Sequence, residues 1–125
     1  MPEEKENQAQ VQAEAPAQNE AKPKTQRSLV IAIVNKGHTD LVMNAARKAG
    51  ARGGTIASAR GTADPEIAKF YGITLSPEKE MVYMVVNEKD RDRIMHEIYE
   101  DAGLRTKGNG IIFSLKIEDS VGLGD

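Results

Sequence analysis

Two short runs decide most of what this chain can become. Ser28–Asn35 reads SLVIAIVN and Glu78–Val86 reads EKEMVYMVV, and both are apolar at nearly every position. Branched residues of this kind favour extended backbone, because their Cβ substituents pack well on a pleated surface. A strand that is apolar on both of its alternating sides needs cover on both faces of its sheet. The chain is therefore built around two strands that want more burial than one layer of helices can give.

The segments between and after them carry other periods. GHTDLVMNAARKAG reads as a helix with Leu41, Val42, Ala45, Ala46 and Ala49 on its apolar face, Thr39 or Asp40 capping its first turn and Gly50 closing it. Gly53–Gly61 is short and alternating, a second strand with Ile56 on one side. EKDRDRIMHEIYEDAG places Ile94, Met95, Ile98, Tyr99 and Ala102 on one helical face, and Gly103 ends it. Ile111–Ile117 is the fourth strand.

The resulting order, βαββαβ, is the split-βαβ arrangement of an α+β, ferredoxin-like domain. Right-handed crossovers place both helices on one face of a four-stranded antiparallel sheet. The other face stays open, and leaving it wet would expose more apolar surface than a soluble monomer usually carries. A homo-oligomer closed through the sheet faces is the expected remedy.

Composition narrows the function. Of the 125 residues, the first 27 contain no Leu, Ile, Phe or Tyr and are rich in Glu, Gln, Ala, Lys and Pro. Such a segment cannot repay the entropy of ordering, so residues 1–27 are expected to be a disordered tail and residues 28–125 the folded domain. No signal-peptide pattern and no run of about 18 apolar residues occurs, so a cytoplasmic protein without membrane insertion is expected. The chain has no cysteine, which excludes thiol chemistry. From Ser28 onward 13 Lys and Arg oppose 14 Asp and Glu, which supplies no broad basic face for nucleic acid. His38 and His96 lack the spacing of metal ligands, and no Ser–His–Asp or paired-carboxylate arrangement is visible, so neither a metal nor a catalytic residue is expected.

One loop invites a binding role. GLRTKGNGIIF, Gly103–Phe113, holds three glycines with Arg105, Lys107 and Asn109. It is no P-loop, because it closes a helix and opens a strand. Consecutive glycine amides can still form a concave nest for an anion. The same residues also suit a helix C-cap followed by a turn at Asn109-Gly110, and composition alone leaves both readings open.

The βαββαβ order, ARGGTIASARGT on the second strand and KGNGIIF entering the fourth together resemble the PII signal-transduction family, whose equivalent loop typically reads Lys-Ile-Gly-Asp-Gly-Lys-Ile-Phe. The likeness spans Leu29 to about Leu123. It implies a trimer of ferredoxin-like subunits with sheets packed inward, an adenine nucleotide in each inter-subunit cleft, and a flexible loop after the second strand that docks onto targets. Gly108, Asn109 and Gly110 match the phosphate cradle, Thr55 the threonine of the second strand, and Gly61 the glycine that begins the docking loop. Arg60, Thr62, Arg105 and Lys107 flank these positions, and Lys79 falls where the family has a lysine that helps bind 2-oxoglutarate. Ile111 stands in place of a phosphate-binding lysine, Gly122 and Gly124 near two arginines, and Pro65 near a glutamine that assists Mg and 2-oxoglutarate. With those cations gone, ADP or AMP is expected ahead of ATP.

Thr62–Pro77 is long for a connection. Asp64 can cap a short helix with Pro65 at its first position, gathering Ile67, Phe70 and Tyr71 on one side and Gly72 at its end. Ile67, Phe70, Tyr71 and Ile73 either meet a partner or pack on the protein's own body or on a neighbouring subunit. The family implies a transporter or metabolic enzyme of nitrogen or carbon metabolism as that partner. The residues flanking Tyr71 do not match the tyrosine that some members carry in nucleotidylated form. Other ferredoxin-like functions fit less well. An ACT-type ligand module would accompany an enzyme domain, a metal-tolerance trimer would need ligands, and an acylphosphatase would need an early cradle with a catalytic arginine where VNKGHTD offers only Lys36.

Overall fold

The computed structural model describes residues 25–70, 72 and 76–124. Residues 1–24 of the expected tail, and Tyr71 and Ile73 of the docking segment, lie outside the described residues. The elements run β1 Arg27–Asn35, α1 Thr39–Lys48, β2 Thr55–Arg60, α2 Pro65–Phe70, β3 Glu78–Asn87, α3 Glu88–Asp101 and β4 Gly110–Ile117. Neighbours in the sheet follow the order β2-β3-β1-β4 and every pair is antiparallel, which is the ferredoxin-like topology. The short α2 is an addition to the two helices that cover the sheet.

The two apolar runs are the central strands, and their alternation splits them between the two faces. Val30 and Ala32 of β1 stand in register beside Met84 and Val82 of β3, Val34 follows on the same face opposite Glu80, and all five of these apolar residues are fully buried under the helices. Val42, Ala45 and Ala46 of α1, Ile94 and Ile98 of α3, and the cap residues Ala49 and Ala102 that follow the two helices complete this core. The alanines of α1 are small enough to let the helix lie close on the strands. Each buried Ile or Val side chain contributes about 1.5–3 kcal/mol.

On the other face three strands form an apolar grid. Leu29, Ile31 and Ile33 of β1 pair with Val85, Tyr83 and Met81 of β3, and with Leu115, Phe113 and Ile111 of β4. No described helix covers these residues, and Val85, Ile111, Phe113 and Leu115 are exposed.

Polar ties lock the helices to each other from outside. Arg93 Nε donates to Ala49 O at 3.0 Å, capping the end of α1 from α3. Gly50 follows with φ +111, and a Cβ there would sit 3.2 Å from Arg93 Nη2. Lys48 Nζ lies 3.2 Å from Glu97 Oε2 and 3.0 Å from Asp101 Oδ2. The hydrogen bond with Glu97, and then Lys48, hold the Asp101 carboxyl below its ordinary 3.8. Lys48 is held above its ordinary 10.5, first by Asp101 and then by Glu97. β3 passes into α3 without a linking residue, since Asn87 ends one and Glu88 begins the other.

Several details differ from the sequence expectation. Arg27, assigned by composition to the tail, is the first residue of β1 and faces Asn87 and Ile117. Neither Thr39 nor Asp40 caps α1; the cap position belongs to His38, without a side-chain bond to the helix. The reason is a tight entry: His38 N donates to Asn35 O, and Gly37, at φ +96, donates its amide to Glu80 Oε1. Leu41 is 47% exposed whereas Met43 is 6% exposed, because the buried stripe of α1 is centred on residues 42, 46 and 49 and leaves position 41 on its flank. Tyr99 is likewise exposed on the flank of α3. The glycine terminators hold as expected: Gly50 and Gly103 both take positive φ beyond their helices.

Candidate functional site

β1 and β2 end, and β3 and β4 begin, at one end of the sheet, so four connections meet there. Leaving α3, the chain turns at Gly103 with φ +80, tucks Leu104 into the core and exposes Arg105, Thr106 and Lys107. Thr106 N donates to Gly103 O and Asn109 N to Thr106 O, so two successive turns build the loop. Asn109 Nδ2 closes it by donating to Gly103 O at 3.1 Å. Arg105 Nη1 lies 3.1 Å from Glu100 Oε1, which draws its charge toward α3.

The glycines of this loop have separate reasons. Gly108 adopts φ +91, a conformation costly for residues with a Cβ. Gly110 enters β4 so close to β1 that a Cβ would stand 2.7 Å from Ile33 O and 3.0 Å from Val34 Cγ1. Turn and cradle are thus compatible readings of one loop, though the Asn109 amide already serves the turn.

Across the sheet, β2 ends at Arg60, in register with Glu78, and Gly61 N donates to Pro77 O at 2.7 Å. That bond pinches the base of the 61–77 segment. A Cβ on Gly61 would lie 3.0 Å from Lys79 Cε, so the glycine makes room for the lysine stem. Lys79 Nζ in turn donates to Asn35 Oδ1 at 2.6 Å, a partly buried cation resting on a neutral amide. In the segment itself Glu66 N donates to Asp64 Oδ1 at 2.9 Å, the expected start for α2. Ala68 is buried, while Ile67 is 58% and Phe70 82% exposed, so these two large side chains present most of their surface to solvent.

The sheet end therefore gathers Arg60, Gly61 and Thr62 at the β2 edge, Lys79 on the neighbouring β3, and Arg105, Lys107, Gly108, Asn109 and Gly110 at the β4 edge. Three strand spacings separate Arg60 from Gly110, about 14 Å. Thr55 is not among them; it opens β2 beside Tyr83, at the far end of its strand. Ile111 does not face the loop either. It lies in register with Ile33 on the open sheet face, where it extends the apolar grid. Asn35 and Glu80, which pin Lys79 and the Gly37 turn, carried no signal in the sequence, because their roles follow from the β1–β3 register. Among the described residues no group of three His, Asp or Glu side chains could hold a metal ion. No described helix is long and apolar enough to cross a membrane.

The family model for nitrogen regulatory protein P-II matches residues 27–123. Among solved structures, PII from Arabidopsis thaliana bound to citrate is 25% identical, with a TM-score of 0.60 over 81% of this chain and 83% of that one. A PII-like signalling protein from Thermus thermophilus is 17% identical, with a TM-score of 0.56 over 74% of this chain and 87% of that one, a likeness of fold. No curated protein matches the chain.

Proposed function

Because the chain belongs to the nitrogen regulatory protein P-II family, we propose that it is a homotrimeric, non-enzymatic, cytoplasmic signalling protein that binds an adenine nucleotide between subunits. The observation that carries this reading is the division of the site. Arg60–Gly61 and Gly108–Gly110 share one end of the sheet but stand at opposite edges of it. A phosphate held at one edge is beyond hydrogen-bond reach of the other in the same chain. Copies packed through the open grid of Leu29, Ile31, Phe113 and their neighbours would bring the edge of one beside the edge of the next.

ADP and AMP are favoured over ATP. Ile111 and the Gly122 and Gly124 positions offer no cation, and each missing charge-assisted hydrogen bond costs about 1.5–3 kcal/mol, tenfold or more in affinity. The 61–77 segment, with Ile67 and Phe70 outward on α2, is the surface through which occupancy reaches a partner, a transporter or a metabolic enzyme of nitrogen or carbon metabolism. Calorimetry with ATP, ADP and AMP tests the reading, alongside light scattering for mass. Binding of ADP or AMP by a trimer is expected, and absence of binding for all three nucleotides refutes it.

Lys79 favours a second ligand at the same end. Its ammonium rests on the Asn35 amide oxygen rather than on a carboxylate, which leaves its charge available to a small carboxylate such as citrate or 2-oxoglutarate. A thermal-shift series with citrate, 2-oxoglutarate and bicarbonate, with and without ADP, reads this directly.

A further inference from the structure

We propose that Asn35 is a second binding residue of the carboxylate site at Lys79, donating through its side-chain nitrogen to the same ligand that the ammonium attracts. The proposal rests on reading Lys79 as the contact for a small carboxylate. Asn35 is the last residue of β1 and lies in register with Lys79 on β3. Its backbone is held firmly: Lys36 N donates to Glu78 O at 3.1 Å, and His38 N and His38 Nδ1 both reach Asn35 O at 3.2 Å. Its side-chain oxygen accepts from Lys79 Nζ at 2.6 Å. An ammonium only donates, so this bond fixes which end of the carboxamide faces the lysine and turns Nδ2 away from it. Among the described residues Nδ2 has no hydrogen-bond partner and is not buried, which leaves two N–H donors beside a cation.

The surroundings favour an anion there. Side chains alternate along β3, so Glu78 and Glu80 stand on the helix side of the sheet while Lys79 joins Asn35 on the open face. Glu80 Oε1 accepts from the Gly37 amide at 3.0 Å, and Glu78 lies 4.0 Å from Lys36. On the other flank of Lys79 stands Ala59, and Gly61 beyond it has no Cβ to press on the lysine stem, so small residues leave room around the ammonium. Asn35, Lys79 and Ala59 form the last row of the open face, past the apolar pair Ile33 and Met81. One positive charge with a neutral N–H donor next to it matches a singly charged, planar carboxylate, whose two oxygens only accept. A phosphate dianion would be left half neutralised. An acid at position 35 would accept from the lysine equally well but cancel its charge, so the neutral amide keeps the site open to an anionic ligand.

The test follows citrate, 2-oxoglutarate and inorganic phosphate, at one ionic strength, by calorimetry on the full chain with and without ADP. Wild type should bind the two carboxylates more tightly than phosphate. Asn35→Leu, which keeps the size of the side chain and removes both amide groups, should lose about tenfold in affinity for either carboxylate. Asn35→Asp should lose more while its melting temperature holds or rises, because the new acid pairs with Lys79 in the ligand's place. In protein labelled with heavy nitrogen at asparagine, the side-chain amide signal that disappears in Asn35→Leu should move as citrate is added to wild type and saturate at the calorimetric dissociation constant. Undiminished carboxylate affinity in both Asn35 variants, or a stationary amide signal in wild type, overturns the contact. Equal affinity for phosphate overturns the selectivity. Loss of carboxylate binding in Lys79→Met with no loss in the Asn35 variants leaves the reading of Lys79 standing and removes Asn35 from the site. If wild type binds neither carboxylate in either condition, the reading of Lys79 falls and this inference falls with it.

Discussion

Replacing Gly110 by alanine is the sharpest probe of how the loop is joined to the sheet. The added Cβ would lie 2.7 Å from Ile33 O and 3.0 Å from Val34 Cγ1. Ordinary carbon contacts begin near 3.4 Å, so β4 must retreat from β1 by several tenths of an ångström at a point where the opposing atom is backbone. Overpacking of this kind costs about 1–3 kcal/mol. Gly110 does not sit at positive φ, so alanine is not strained there and regains about 0.4–1 kcal/mol by restricting the unfolded chain. The net loss is about 1–2 kcal/mol, or roughly 4–16 °C in Tm for a domain of this size. Gly53→Ala is the control, because a Cβ there meets nothing within 4 Å and the entropic gain stands alone. Urea unfolding at one fixed protein concentration, to hold assembly constant, should rank Gly53→Ala at or above wild type and Gly110→Ala clearly below. Equal midpoints for Gly110→Ala and wild type would refute the claim that strand proximity selects this glycine.

Three further perturbations have expected outcomes. Asp101 is held below its ordinary 3.8, so its contribution is present above that value and is lost as pH falls through the lowered one; Asp101→Asn should flatten the acid limb of a stability–pH curve below pH 3.8. Lys48 is held above 10.5, so its share fades only as pH rises past that value, and the same variant should soften the alkaline limb. Phe113→Asp, which puts a charge in the open grid beside Ile31, should shift the mass seen by light scattering to that of one chain, and an intact oligomer would show that assembly uses another surface. Removing residues 1–24 should leave the melting temperature unchanged, and a clear drop would mean that residues before Thr25 support the domain.

Much of this architecture could be read from residue pattern. The unbroken run SLVIAIVN became the central strand β1, and the Asp64-Pro65 pair began a helix as capping chemistry requires. Local signals of that kind survive because they act within a few residues. What escaped the sequence depends on register. Lys79 touches Asn35 because β1 and β3 align those two positions, 44 residues apart in the chain. Ile111 turns to the sheet face and not to the loop because the register of β1 and β4 sets it opposite Ile33. Thr55 and Arg60 share one short segment of sequence, yet strand geometry sends them to opposite ends of β2, Thr55 beside Tyr83 in the middle of the sheet. Gly110 looked like a turn former, and its stronger reason, the Ile33 carbonyl, lies in a strand read much earlier in the chain.

The corner at Asn87–Glu88 has a consequence for how such a chain can diverge. Strand and helix meet there with no intervening residue, so one inserted amino acid would rotate α3 by about 100° and carry Ile94 and Ile98 out of the core. The 61–77 segment is under no such constraint, since Gly61 N and Pro77 O seal it at its neck and shield the sheet from whatever lies beyond. Changes of length are therefore channelled to the end of the molecule that carries the candidate site. Descendants of this sequence can acquire new reach there while the packed half stays the same length.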